Sequence, residues 1–161
     1  MPTKNQLIET FVGVLHGEIG VRESGDNSGA RVREYQAATT LGGSHFPWCA
    51  ALLCFALKQT EKKHSIDIPW TYSASCDVLW ADGKARGILR PTPQRGDIGL
   101  VRAKRGGGYS SADAIHTFAV SKVVGSHVET IEGNSNNDGG REGIGVFAHS
   151  RPVSERLVWV R

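Results

Sequence analysis

The order of local signals along the chain predicts an α+β fold, with N-terminal helices packed on a C-terminal antiparallel sheet. Three observations support this. Apolar residues recur at helical spacing through the first half of the chain. Pro91, Pro93 and Gly96 then form a cluster of turn residues. After that break, short β-type segments follow one another with little helical pattern between them. At 161 residues, one domain over residues 1–161 can bury an adequate core without cross-links.

The first helix is expected over about residues 4–19, where Thr3 and Gln6 have capping-box spacing and Leu7, Phe11, Leu15 and Ile19 share a stripe. A polar loop from Gly20 to Gly29 follows, and Asn27 or Ser28 is the expected cap of a second helix over about 30–41. Pro47 favours a helix beginning just after it, over about 48–60. This third helix is too apolar for an exposed position: Cys49, Ala50, Ala51, Leu52, Leu53, Cys54, Phe55. A weaker fourth helix, over about 73–86, carries Cys76 as a packing residue and stops at Gly87. Strands are expected at Asp97–Ala103, His116–Val124, His127–Glu132, Gly145–His149 and Arg156–Val160. The runs at 104–113 and 133–143 read as polar or glycine-rich loops.

Composition narrows the function classes. Three cysteines without a Cys-x-x-Cys spacing argue against a disulfide framework and a structural zinc site. No apolar run approaches the ~18 residues of a membrane span. The N-terminus lacks a signal peptide's apolar region, so synthesis in the cytoplasm is expected. A net charge of +3 favours an anionic partner such as a bacterial cell wall, although most of it reads as solvated surface.

Cys49 falls in the first turn of the buried helix, where unpaired N–H groups and the positive end of the dipole stabilise a thiolate. A cysteine nucleophile needs a base, and the base needs a group to orient it. Of the six histidines, His16 and His64 read as surface, His45 lies in an irregular stretch and His149 ends a late strand. His116 and His127 both start strands. Glu132 and Asn134 share a strand face, and His127 has the opposite phase. A hairpin around 125–126 places His116 opposite 134–135, within reach of either polar group. The geometry favours His116 and leaves the orienting role open between Glu132 and Asn134.

Taken together, these residues resemble the CHAP domains, members of the NlpC/P60 group of papain-like hydrolases. The resemblance runs through Glu23-Ser-Gly-Asp-Asn27-Ser-Gly29, Val32, Tyr35, Trp48-Cys49-Ala50-Ala51, Arg95-Gly96-Asp97-Ile98, His116 and Ile131-Glu132-Gly133-Asn134-Ser135-Asn136, covering nearly the whole chain. It implies Cys49 as nucleophile, His116 as base and then acid, Glu132 as the orienting group and Asn134 as a fourth polar member. Trp48 and Tyr35 are the candidate walls of a substrate groove. The sequence departs from the family where Thr117-Phe118-Ala119 follows the histidine, and Phe118 is expected to narrow the groove. Some family members bind calcium through an Asp-rich loop ahead of the cysteine. Glu23, Asp26 and Asn27 do not match that cluster and are accounted for by capping and turns, so neither metal nor cofactor is expected.

The function implied is that of a peptidoglycan hydrolase, an N-acetylmuramoyl-L-alanine amidase or a peptide endopeptidase working through an acyl-enzyme. Such a chain would be a phage lysin released by lysis or an effector injected into its target. It is expected to act as a monomer on wall peptide, with an immunity or carrier protein as the other partner and no nucleic acid. Two alternatives stand beside it: a catalytically silent wall-peptide-binding or structural domain of a phage or secretion particle, and a cysteine amidase on a non-wall amide.

Overall fold

The computed structural model describes residues 1–43, 45–136 and 143–161. Within them, helices α1 (Lys4–Glu18), α2 (Ala30–Ala37), α3 (Cys49–His64) and α4 (Cys76–Ala85) precede strands β1 (Leu89–Arg90), β2 (Ile98–Arg105), β3 (Gly108–Val124), β4 (His127–Ser135), β5 (Gly145–Pro152) and β6 (Leu157–Val160). The strands form one antiparallel sheet in the order β1-β6-β2-β3-β4-β5. The fold is α+β, helices first and strands after.

α1 starts at the predicted capping box. The Thr3 hydroxyl accepts the Gln6 N–H at 3.2 Å, and the Gln6 side chain accepts the Thr3 N–H at 2.8 Å. These bonds satisfy N–H groups that a helix start leaves orphaned. Phe11, Val12 and Leu15 are buried against α3. α3 is enclosed from Cys49 through Leu57, packed by α1 and α2 on one side and by β3 and β4 on the other. This central position explains why its first half carries no charged residue: a buried charge without a partner costs several kcal/mol, on the order of 3–5. A second apolar cluster, built from sheet residues, gathers Val101, Phe118, Val120, Val128 and Trp159.

Several boundaries differ from expectation. α2 is capped by Gly29 with no side-chain cap, so neither Asn27 nor Ser28 serves. It ends at Ala37 rather than near 41, because the Thr39 hydroxyl bonds the Gln36 carbonyl and the Thr40 N–H bonds Tyr72 O at 2.7 Å. α4 begins at Cys76, three residues later than expected, where the Ser75 hydroxyl accepts the Val78 N–H. The two residues of β1 carry no readable period. β3 starts at Gly108, so His116 lies inside a strand rather than at its start. Backbone pairing and the Arg102 guanidinium, which donates to the carbonyls of Tyr109 and Ser110, order a segment with little side-chain packing. Residues 133–135 belong to β4 rather than to a loop. Residues 137–142 of the expected second loop lie outside the described residues.

The Arg95-Gly96-Asp97-Ile98 run has a structural role. The buried Asp97 carboxylate accepts the Gln94 N–H at 2.7 Å and two bonds from Arg161 at 2.8 Å, tying the end of the chain to the start of β2. Gly96, at φ 89°, leaves no room for a side chain, since a Cβ there would lie 2.9 Å from Ile8.

Candidate active site

Cys49 is the first residue of α3, so its backbone N–H lacks an intrahelical partner and faces outward from the positive end of the helix. β3 and β4 bring the other groups to it. Their ladder runs from Val124↔His127 to Ala119↔Ile131. Beyond its end His116 and Glu132 meet through side chains, with the imidazole Nε2 2.8 Å from Glu132 Oε2. A one-residue shift between Val120 and Lys122 offsets this ladder from a simple hairpin count. Among the described residues the buried His116 Nδ1 has no hydrogen-bond partner. Cys49 nevertheless lies near enough for the two groups to shift each other's protonation.

Glu132 is fully buried and its charge is compensated on both oxygens. Arg151 donates from Nε to Oε1 and from Nη2 to Oε2, each at 2.6 Å, and the Thr130 hydroxyl adds a bond to Oε1 at 2.5 Å. Burial pushes the Glu132 carboxyl up, but Arg151 and His116 outweigh it and hold the group at about 2. Burial likewise opposes charge on His116, yet the Cys49 sulfur and Glu132 raise the imidazolium to about 9. The Cys49 thiol is held well below its usual range, first by the Cys76 thiol and then, against burial, by His116 and the Thr117 backbone. Both directions favour a proton on the imidazole and negative charge on sulfur, with the two groups titrating as a pair.

The structure brings Cys49, His116 and Glu132 near one another, and of the two candidate partners it is Glu132 that the imidazole bonds. Asn134 is buried nearby at φ 51°, at an irregularity in the β4–β5 pairing, and its Oδ1 has no partner among the described residues. Trp48 and Tyr35 do not line a groove. Both are 0% exposed, their ring centroids 5.6 Å apart. The indole N–H of Trp48 donates to Glu23 at 3.0 Å and the Tyr35 hydroxyl to the buried Glu18 at 2.5 Å. Large aromatic rings beside a buried helix start give more by filling the core than by facing solvent. Phe118 does not narrow a groove either; it is buried edge-on against Trp159. Asp26, considered earlier as a calcium oxygen donor, pairs with His45.

Arg151 and Cys76 escape sequence reasoning. A buried glutamate implies a cation on a neighbouring strand, and Arg151 has the right phase on β5, but Glu132 gives no sign in the sequence of being enclosed. Cys76 opens α4, and its Sγ lies 3.8 Å from Cys49 Sγ. The remaining cysteine, Cys54, is buried inside α3, where burial pushes its thiol up to about 12. An apolar cavity of about 200 Å³ between α1, α3 and the sheet, lined by Leu7, Phe11, Leu57, Trp70 and Ile98, includes none of the catalytic candidates.

No family model matches the chain, and no curated protein matches it. The solved structure of Ly7917 superposes with a TM-score of 0.51 at 12% identity, over 95% of this chain and 61% of that one. A second, of Ly7917 with the hydrolyzing product of MDP, gives 0.48 at 14% identity over 95% and 62%. This chain thus spans less than two thirds of the solved chains it resembles. At this identity the first likeness identifies a shared fold.

Proposed function

We propose that the chain is a papain-like cysteine hydrolase of the CHAP type that cleaves an amide bond in peptidoglycan peptide. One observation carries this reading: a doubly compensated buried carboxylate holds the His116 imidazole, and the thiol at the start of α3 lies near enough to that imidazole for each to shift the other's protonation. A purely structural cysteine requires none of these partners. The wall peptide as substrate rests on the sequence resemblance, with the net charge of +3 favouring an anionic polymer.

The reaction follows from where the proton sits. The Cys49 thiolate attacks the amide carbonyl carbon, and the developing oxyanion is stabilised by the Cys49 N–H at the start of α3. The His116 imidazolium donates its proton to the departing amine nitrogen, leaving a thioester and a neutral imidazole. His116 then takes a proton from water, which attacks the thioester and releases the thiolate. Glu132, held by Arg151 and Thr130, keeps the ring aligned through both steps.

Digestion of purified peptidoglycan by the wild type and by Cys49→Ala, followed by mass spectrometry of the soluble fragments, tests the proposal. The wild type should release fragments with a new free amine that Cys49→Ala does not. A free amine on the first alanine of the stem would identify an amidase, and one within the stem or cross-bridge an endopeptidase. Identical fragment profiles would remove the hydrolase reading.

A further inference from the structure

Cys76 has no part in the reaction above, yet it is the group packed on the nucleophile. Cys49 and Cys76 are the first residues of α3 and α4, 27 positions apart in sequence, with their sulfurs 3.8 Å from each other. α4 is fixed in this position from the β3 side, where Asp77 Oδ1 accepts the Ala114 N–H at 2.6 Å. A disulfide needs a sulfur separation of about 2.05 Å, so closure asks the two sulfurs to approach by roughly 1.8 Å. No disulfide joins any of the three cysteines in this structure. Cys54, inside α3, has its Sγ directed at the Ser73 carbonyl and takes no part.

We propose that Cys49 and Cys76 form a reversible redox pair that takes hydrogen peroxide as its oxidant and switches the site off as a disulfide. The Cys49 thiolate attacks one peroxide oxygen, the O–O bond breaks, hydroxide leaves and Cys49 becomes a sulfenic acid. Cys76 then attacks the Cys49 sulfur. The S–S bond forms, the S–O bond breaks, and the hydroxyl departs as water with the Cys76 proton. In sum one thiolate, one thiol and one peroxide give a disulfide, one water and one hydroxide. The hydroxide becomes a second water by taking the proton that the Cys49 thiol gave up, and a dithiol reductant reverses the change by exchange. The pair also protects Cys49, because a sulfenic acid with a thiol beside it condenses before a second peroxide carries it irreversibly to sulfinic acid. The depressed Cys49 thiol supports the order of attack. The switching of activity rests on the hydrolase reading above, but the bond itself does not.

Limited hydrogen peroxide on the purified chain, followed by non-reducing peptide mass spectrometry, reads the bond directly. The expected product is a Cys49–Cys76 cross-linked peptide that dithiothreitol resolves. In Cys76→Ser and Cys76→Ala, checked for a cooperative melting transition, the same treatment should instead carry Cys49 to sulfinic acid, which dithiothreitol does not reverse. Sulfinic acid on Cys49 of the wild type at the variants' rate, with no cross-link, would overturn the proposal. This chemical readout is independent of catalysis, so a chain that forms the cross-link on oxidation but fails to digest peptidoglycan when fully reduced would sink the wall-hydrolase reading and leave the redox pair standing.

Discussion

The decisive residue is Glu132. Buried and ionised, it costs several kcal/mol to desolvate, which only close partners repay. Arg151, Thr130 and His116 occupy its two oxygens. Because Glu132 supports the positive imidazole, the proposed reaction predicts that the His116 group, at about 9, sets the alkaline side of activity. Acylation needs the imidazolium, so it should hold through neutral pH and fall as pH rises through about 9. Glu132→Gln removes the negative charge, lowers the imidazolium's pKa and should move that limb to lower pH, measured as kcat/KM against pH. An unmoved limb would mean that the limb reports some other group. His116→Ala should cost on the order of 10²–10⁴-fold in rate. Glu132 and Asn134 are both legible as partners of His116 because they share a strand phase. Asn134 itself has a left-handed backbone and lies where the pairing becomes irregular beyond Glu132, a departure that alternation does not encode.

At the scale of elements, the site depends on how closely β4 approaches the first turn of α3. A Cβ on Gly133 would lie 2.8 Å from Leu52 and 3.0 Å from Trp48, so a side chain would push β4 off the helix and carry Glu132 with it. Gly133→Ala should destabilise the fold by about 1–3 kcal/mol, as overpacking does. Activity should fall further than the unfolded fraction explains, read by urea denaturation beside turnover. Full activity in a folded Gly133→Ala would show that the strand can retreat without moving the carboxylate. The apolar run of α3 and the capping box of α1 are plain in the sequence because both are local patterns. The meeting of Cys76 with Cys49 is not, since it arises from the docking of α4 on β3 and no periodicity links residues on separate helices. Trp48 and Tyr35 show the reverse: the family pattern marks their positions, and packing decides that they fill the core.

For the whole molecule, compensated carboxylates link stability to pH. Glu132 falls from an ordinary 4.5 to about 2 on folding, and Glu18 and Glu61 are also lowered, against burial, by Arg31 and Tyr35 and by Tyr72 and the Ile68 N–H. A carboxyl depressed in the folded state contributes stability that is present above its unfolded value and lost as pH falls through the folded one. Glu132 alone corresponds to roughly 3 kcal/mol at neutral pH. The melting temperature should therefore decline steadily from about pH 4.5 towards pH 2. A flat profile across that window would contradict the assigned charge on Glu132. Among the described residues no helix is long and apolar enough to cross a membrane. The fold class is legible in the sequence because helical and strand signals are segregated along it. The order in which the strands pair, with β6 inserted between β1 and β2, depends on long-range packing that local patterns do not carry.

The central claim is that Cys49 is an activated thiolate paired with His116. Alkylation by iodoacetamide, followed at Cys49 as a function of pH, tests it most directly, because rate follows thiolate content. The account predicts labelling at neutral pH faster than in the unfolded chain, persisting well below the ordinary thiol range and weakened in His116→Ala. Labelling no faster than in the unfolded chain, rising only near pH 8.5–9 as for a free cysteine (~8.5), would contradict it.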